Sequence, residues 1–194
     1  MNLPLPVAVG IWVVIGLLLL VLVLTGRRRL ARRTRALVPA PPAPPADPAD
    51  LGALRLGPLP AIYVSSTLAG DWLARIGAYG LGDRSQADVS VYDAGVLIVR
   101  TGAPTVFIPR TALHDAGLAP GMAGKYVGAD GIVVVSWHVP SDGSADAADL
   151  DTGLRTRYAT DRARIVDAVR HLKTNASLDE PDATIPQESQ EDSQ

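Results

Sequence analysis

The chain has 194 residues, with 18 Lys+Arg against 20 Asp+Glu and no cysteine. That length accommodates one globular domain with appendages. The lack of cysteine excludes a disulfide framework, a thiolate metal site and a cysteine nucleophile.

One Phe, three Trp and five Tyr, beside 16 Pro and 18 Gly, make the chain aromatic-poor and turn-rich. Such a composition suits many short strands better than a helix bundle.

The first element is an apolar helix. Val7 to Thr25 reads VAVGIWVVIGLLLLVLVLT without a charge; as a helix it spans roughly 28 Å, close to the ~30 Å hydrocarbon core of a bilayer. Arg27, Arg28, Arg29, Arg32, Arg33 and Arg35 follow it, and no basic residue precedes it. The positive-inside rule predicts a single pass through the cell (inner) membrane with the carboxyl side cytoplasmic. Residues 1–6 are then an extracytoplasmic leader, 7–25 the span and 26–35 a basic juxtamembrane segment. A cleaved signal peptide would carry its charge before a shorter apolar core. The span has no polar side chain for an ion or proton path, and Gly10 and Gly16 lack the four-residue spacing of a close helix dimer. It reads as a tether. The six arginines set topology and are candidate contacts for anionic lipid headgroups.

Residues 36–50, ALVPAPPAPPADPAD, hold six prolines and predict an extended spacer reaching roughly 45 Å. Residues 175–194 carry six acidic residues and no Lys or Arg, which predicts a disordered acidic tail. Between them, residues 51–174 balance 12 basic against 12 acidic residues, and no cationic excess supports a nucleic-acid partner.

Within 51–174 the apolar period is mostly two. Strands are predicted at Ala61–Leu68, Ala87–Tyr92, Val96–Arg100 and Thr105–Pro109. A further hairpin pairs Gly124–Gly128 with Ile132–Val139, and Leu150–Arg155 is a last strand. Trp72–Ile76 is ambiguous between strand and helical turn. From Thr160 the period changes: Ile165, Val166, Val169 and Leu172 form one stripe, with Asp161 near the start and cations toward the end. About seven antiparallel strands in a bent sheet or barrel, capped by a terminal amphipathic helix, make an α+β fold.

No motif nominates a catalytic residue, a cofactor or a metal. Gly121–Tyr126 lacks the first Gly and the Ser/Thr of a phosphate loop, and neither GxGxxG nor GxSxG occurs. His114, His138 and His171 have no short-spaced ligand partners. Nothing in the spacing of Arg100, Arg110 and Lys125 brings them together as a phosphate-binding mouth. Trp72, Asp83 and Arg84, in turn-rich stretches, are candidate partner-recognition residues; the competing reading is a bracing Asp–Arg pair beside a half-buried Trp.

The segments YVSSTLAGDWLARI (Tyr63–Ile76), GLGDRS (Gly80–Ser85), APTVFIPRTAL (Ala103–Leu113), PGMAGKYV (Pro120–Val127) and LDTGLR (Leu150–Arg155) carry a resemblance. With the anchor before them, the chain resembles actinobacterial single-pass membrane proteins with a cytoplasmic pleckstrin-homology-like (PH-like) domain. Such proteins are often encoded among pyrimidine-biosynthesis genes and labelled as export, transport or membrane proteins. The resemblance implies fold and topology, and brings no catalytic residues. The expected function is a non-enzymatic, membrane-tethered module that docks a protein partner or itself. The alternatives are an accessory subunit of an exporter or transporter and a lipid- or small-ligand-binding domain.

Overall fold

The computed structural model describes residues 5–178. Residues 1–4 of the predicted leader, residues 179–194 of the predicted tail and the side chains of Arg27, Arg28 and Arg32 lie outside the described residues; residues 175–178, expected in that tail, instead continue the terminal helix. Helix α1 (Leu5–Arg35) does not stop at the end of the apolar run but carries the arginines on the same helix. Its 31 residues measure about 46 Å. The window Val9–Gly26 has a mean hydropathy of 2.8 and none of it is covered by protein, so α1 is long and apolar enough to cross a membrane.

The segment after α1 differs from the free spacer that its prolines predict. The amides of Leu37 and Val38 both donate to the Thr34 carbonyl, which turns the chain at the helix end. Val38 then enters the main hydrophobic core at 1% exposure, Pro39 is buried beside it, and the Ala40 amide donates to an Asp142 carboxylate oxygen at 3.0 Å. Proline removes backbone donors but leaves apolar ring surface, so an extended Pro-rich strand can lie along a domain as readily as hang free.

Among the described residues nine strands follow: β1 (Leu54–Leu68), β2 (Ser85–Tyr92), β3 (Gly95–Arg100), β4 (Val106–Pro109), β5 (Leu113–Ala119), β6 (Gly121–Met122), β7 (Lys125–Tyr126), β8 (Ile132–Val139) and β9 (Ala148–Thr156). Seven make one antiparallel sheet in the order β4-β3-β2-β1-β9-β8-β5. The long strand β1 pairs with β2 through its first two thirds and with β9 through its last half, with register shifts between Leu54 and Leu59 and again between Tyr63 and Ser65. Bulges of this kind bend a strand and raise its twist, which lets β1 serve both halves of a curled sheet. Gly57 is required in the bend: its φ is +103°, and a Cβ there would stand 2.4 Å from the Val89 carbonyl oxygen. Alternation breaks at Gly57, Pro58 and Pro60, so the period-two pattern begins only at Ala61.

The inward faces of the sheet and helix α2 (Thr160–Leu178) enclose the core. Trp137, Tyr63, Ile98, Ile108, Leu150 and Leu154 are fully buried, and α2 contributes Ile165, Val166, Val169 and Leu172 along the predicted stripe.

The predicted pairing of Gly124–Gly128 with Ile132–Val139 is corrected. Strand β8 pairs with β5, from Leu113↔Trp137 to Ala119↔Ile132, and β7 pairs only with β6. The sequence LHDAGLA conceals β5 because a register shift between Leu113 and Asp115 turns both His114 and Asp115 outward. The β6–β7 hairpin folds over the outside of the sheet, where Met122 packs on Val64 and Ile132. Gly153 leaves the room: a Cβ there would lie 2.4 Å from the Met122 sulfur.

Candidate functional site

The connection from β1 to β2, residues 69–84, is built to present side chains outward. The Asp71 carboxylate accepts the amides of Leu73 and Ala74 at 3.0 and 3.1 Å, a local turn that leaves Trp72 56% and Leu73 61% exposed. The loop then returns along the end of β1: the Ile76 amide donates to the Ser66 carbonyl, and the Ser66 amide to that of Leu81. Trp72–Ile76, ambiguous in sequence, is thus a turn followed by a single bridge between Arg75 and Thr67.

The far half of this loop is braced from beneath by Arg100, which is 5% exposed. Its guanidinium donates to the Ser85 hydroxyl (2.9 Å), to the carbonyls of Gly80 (3.0 Å) and Pro104 (3.4 Å), and to that of Asp83, while lying 3.9 Å from the centre of the Tyr63 ring. The Tyr63 hydroxyl donates to the Leu81 carbonyl at 3.0 Å and meets the Ser66 hydroxyl at 2.7 Å. The chain of hydroxyls continues from Ser66 to Thr152 at 2.7 Å, and Thr152 accepts the Trp137 indole N–H at 2.9 Å. Burial pushes the Tyr63 hydroxyl up to about 12, against the lowering effects of Ser66 and Arg100. Burial likewise lowers the Arg100 pKa, against the pull of Tyr63 and Asp83. A fully hydrogen-bonded interior column of this kind positions a loop and offers no free group to a ligand.

Asp83 therefore serves the loop through its carbonyl and its charge beside Arg100, not through Arg84. Arg84 faces solvent and lines a hollow with Lys125, Tyr126, Val127 and Arg155. Trp72 lines a neighbouring hollow with Pro120, Gly121, Gly124 and the same Tyr126. Tyr126, 78% exposed on the folded-over hairpin, is the ridge that joins them. The Ala123 amide donates to the Trp72 carbonyl at 2.9 Å and ties hairpin to loop. The structure thus brings Trp72 and Arg84 to one surface and adds Tyr126 and Arg155, which sequence reasoning missed, and Lys125, which it weighed only for a phosphate-binding mouth. Arg84, Lys125 and Arg155 make no salt bridge among the described residues. Next to them, a cleft of about 470 Å³ along β1, β2 and β9 continues past Arg155 to Arg157, with Asp88 among its lining residues.

The same loop receives the end of the apolar helix. Arg35 lies 5.7 Å from the centre of the Tyr79 ring, in the short 3-10 turn Ala78–Gly80. Arg29 and Arg33 are exposed on α1. Arg100, Arg110 and Lys125 do not converge: Arg100 is buried, Arg110 lies near Asp93 across the molecule, and Lys125 is on the hairpin.

A curled antiparallel sheet closed by one terminal helix is a recurrent β-rich architecture, and here a family model decides between its representatives: that of bacterial PH domain-like proteins matches residues 41–170. The chain belongs to this family. The matched region begins inside the Pro-rich segment, two residues beyond the buried Pro39. No curated protein matches the chain. PH-like domains are generally interaction modules without catalysis, and Trp72, Tyr126 and Arg84 form one exposed surface of this PH-like domain.

Two histidines also meet, on another face. His138 and Asp149 are directly paired across β8 and β9, with Nδ1 and a carboxylate oxygen 2.8 Å apart, and His114 Nε2 stands 3.7 Å from that same oxygen. His114 lies on β5.

Proposed function

We propose that this chain is a non-enzymatic, membrane-anchored interaction module whose PH-like domain sits at the cytoplasmic face of the cell membrane. The observation that carries the proposal is the way the helix ends. α1 runs through the arginines and is seated on the domain by Arg35 on Tyr79 and by Val38 in the core. A span joined in this way fixes the orientation of the domain as well as its location. The arginine flank supports the cytoplasmic side for the domain, and residues 26–35 then lie among anionic headgroups. The recognition surface is Trp72, Tyr126, Arg84, Lys125 and Arg155, with Asp83 in a supporting role. Trp, Tyr and Arg are the residue types that dominate binding energy at protein interfaces, and the unpaired cations select an acidic segment of a protein partner. Confinement to the membrane raises the local concentration of that partner without new contacts.

The test is photo-crosslinking from position 126 in intact cells, followed by affinity capture. A crosslinked protein lost on Trp72→Ala and on Arg84→Glu supports the module. Capture that ignores these changes but fails when residues 7–25 are replaced by an unrelated apolar helix would replace it with the exporter- or transporter-subunit reading. Topology is tested separately. Because the chain has no cysteine, a single Asn2→Cys or Ser193→Cys gives an unambiguous label. The first should react with an impermeant reagent on intact spheroplasts, the second only after permeabilisation.

A further inference from the structure

His114, His138 and Asp149 come from three neighbouring strands, β5, β8 and β9, and one ligand atom from each lies within 4.8 Å of the other two. An ionised carboxylate only accepts, so at 2.8 Å the His138 Nδ1 carries the proton it shares with Asp149. His114 approaches the same oxygen with Nε2, and the two imidazole rings are 6.0 Å apart. The placement comes from the fold. His138 and Asp149 are a cross-strand pair, and the register shift between Leu113 and Asp115 aims His114 onto the same outer face. Bulges re-aim side chains in this way beside functional sites. The surrounding charge is mixed: Asp151, two residues along β9, accepts from Ser136, Asp115 pairs with Arg170, and Lys173 donates to the His114 backbone carbonyl and not to its ring.

We infer that His114, His138 and Asp149 form a site for a divalent transition-metal ion, Zn2+ above others. Two imidazoles and one carboxylate are a recurrent zinc donor set, and three protein ligands leave a coordination position open to water or to a side chain of a partner. Ligands about 2.0–2.2 Å from a tetrahedral ion stand roughly 3.3 Å from one another. The separations of 2.8 and 3.7 Å bracket that value, so small rotations of half-exposed side chains complete the set. Metal at His138 Nδ1 requires the other tautomer: the Nδ1 proton passes to solvent and Nε2, the remaining ring nitrogen, carries one instead, so the ring stays neutral. A hard cation such as Mg2+ or Ca2+ prefers an all-oxygen shell and is not favoured here. The ion would pin β5, an edge strand of the sheet, to the two strands inside it.

The experiment uses tag-free full-length protein in nanodiscs, stripped with chelator and titrated with Zn2+ against a chromophoric competitor, alongside histidine 15N spectra. The expected result is one Zn2+ per chain with a dissociation constant of about 10 μM or tighter, and no competition by Mg2+. The signals of His114 Nε2 and His138 Nδ1 should move. His114→Ala, His138→Ala and Asp149→Ala should each weaken binding on the order of 100-fold, whereas His171→Ala, on the exposed face of α2, leaves it unchanged. No binding at about 100 μM Zn2+, unshifted His114 and His138 resonances in the bound protein, or dependence on His171 would each overturn the assignment. The resonance test is made on the unaltered chain, so it stands even where a substitution disturbs folding.

Discussion

Two polar regions of this domain lie a few residues apart and have opposite fates. Beneath the β1–β2 loop, Arg100, Tyr63, Ser66, Thr152 and Trp137 form a buried column in which every named side-chain polar group has a partner. Above the loop, Trp72, Tyr126, Arg84, Lys125 and Arg155 are exposed, and the cations among them lack ion-pair partners within the described residues. Arginine thus plays two roles within one structural unit. Where its donors meet three carbonyls and a hydroxyl it is scaffold, and where they face water it is free to meet a partner. The type of residue says little; hydrogen-bond satisfaction separates the two.

The sharpest way to break this comparison is to remove the scaffold arginine. Arg100→Met leaves the carbonyls of Gly80 and Asp83 without their buried donor and should cost about 3 kcal/mol of stability by chemical denaturation. Arg84→Met, sixteen positions earlier, should stay within about 0.5 kcal/mol of the parent while losing partner capture. Equal destabilisation by the two would erase the distinction.

A smaller effect links the regions. Gly153→Ala places a methyl group against the Met122 sulfur and should cost about 1–3 kcal/mol, displacing the hairpin that carries Tyr126 and weakening capture. Met122→Ala in the same chain should recover part of the capture. The recovery shows that the hairpin position, and not general stability, controls the surface.

The column also has a pH signature. The Tyr63 hydroxyl is pushed up to about 12 by burial, so the folded chain holds its proton more tightly than the unfolded one. That contribution is fully present below about pH 10 and is lost as pH rises toward the folded value. In an alkaline absorbance titration one of the five tyrosines should ionise last, near the pH of unfolding, and Tyr63→Phe should remove that late component.

The smallest effect concerns the clamp on the helix end. The Ser144 hydroxyl, and then the Ala40 amide, hold the Asp142 carboxyl well below the usual carboxylate range. A depressed folded value means stabilisation present above the ordinary pKa of about 4 and lost as pH falls through the folded one. Asp142→Ala should speed hydrogen exchange at the Ala40 amide and lower stability slightly at neutral pH, and the acid limb of the stability profile should flatten by the same small amount. Unchanged exchange would release residues 36–50 as a free spacer.

Legibility followed locality. The apolar helix, the strands around Ala87–Arg100 and Ile132–Val139, and the stripe Ile165–Val166–Val169–Leu172 are patterns within one element, and they were readable because a single face of a single element decides them. Trp72 and Arg84 were visible as unusual loop residues. Tyr126 and Arg155 were not, and Lys125 was not as part of this surface, since Lys125 and Tyr126 make up a two-residue strand and Arg155 lies on the outer face of β9. Strand β5 was hidden by a register shift that breaks its alternation, and the hairpin was then given the wrong partner.

What the sequence by itself determined is the order of parts: a helix apolar enough to span a bilayer, an arginine flank, a curled antiparallel sheet and a closing amphipathic helix. The first two follow from an unbroken apolar run and the charge beside it, the last two from apolar patterns of period 2 and 3.6 along a contiguous stretch. Tertiary structure alone decided that Val38 enters the core, that Met122 carries a hairpin over Gly153, and that His114, His138 and Asp149 meet. Those facts depend on strand register and bulges, where a shift of one residue turns a side chain to the opposite face, and no local pattern encodes which distant strand will be opposite.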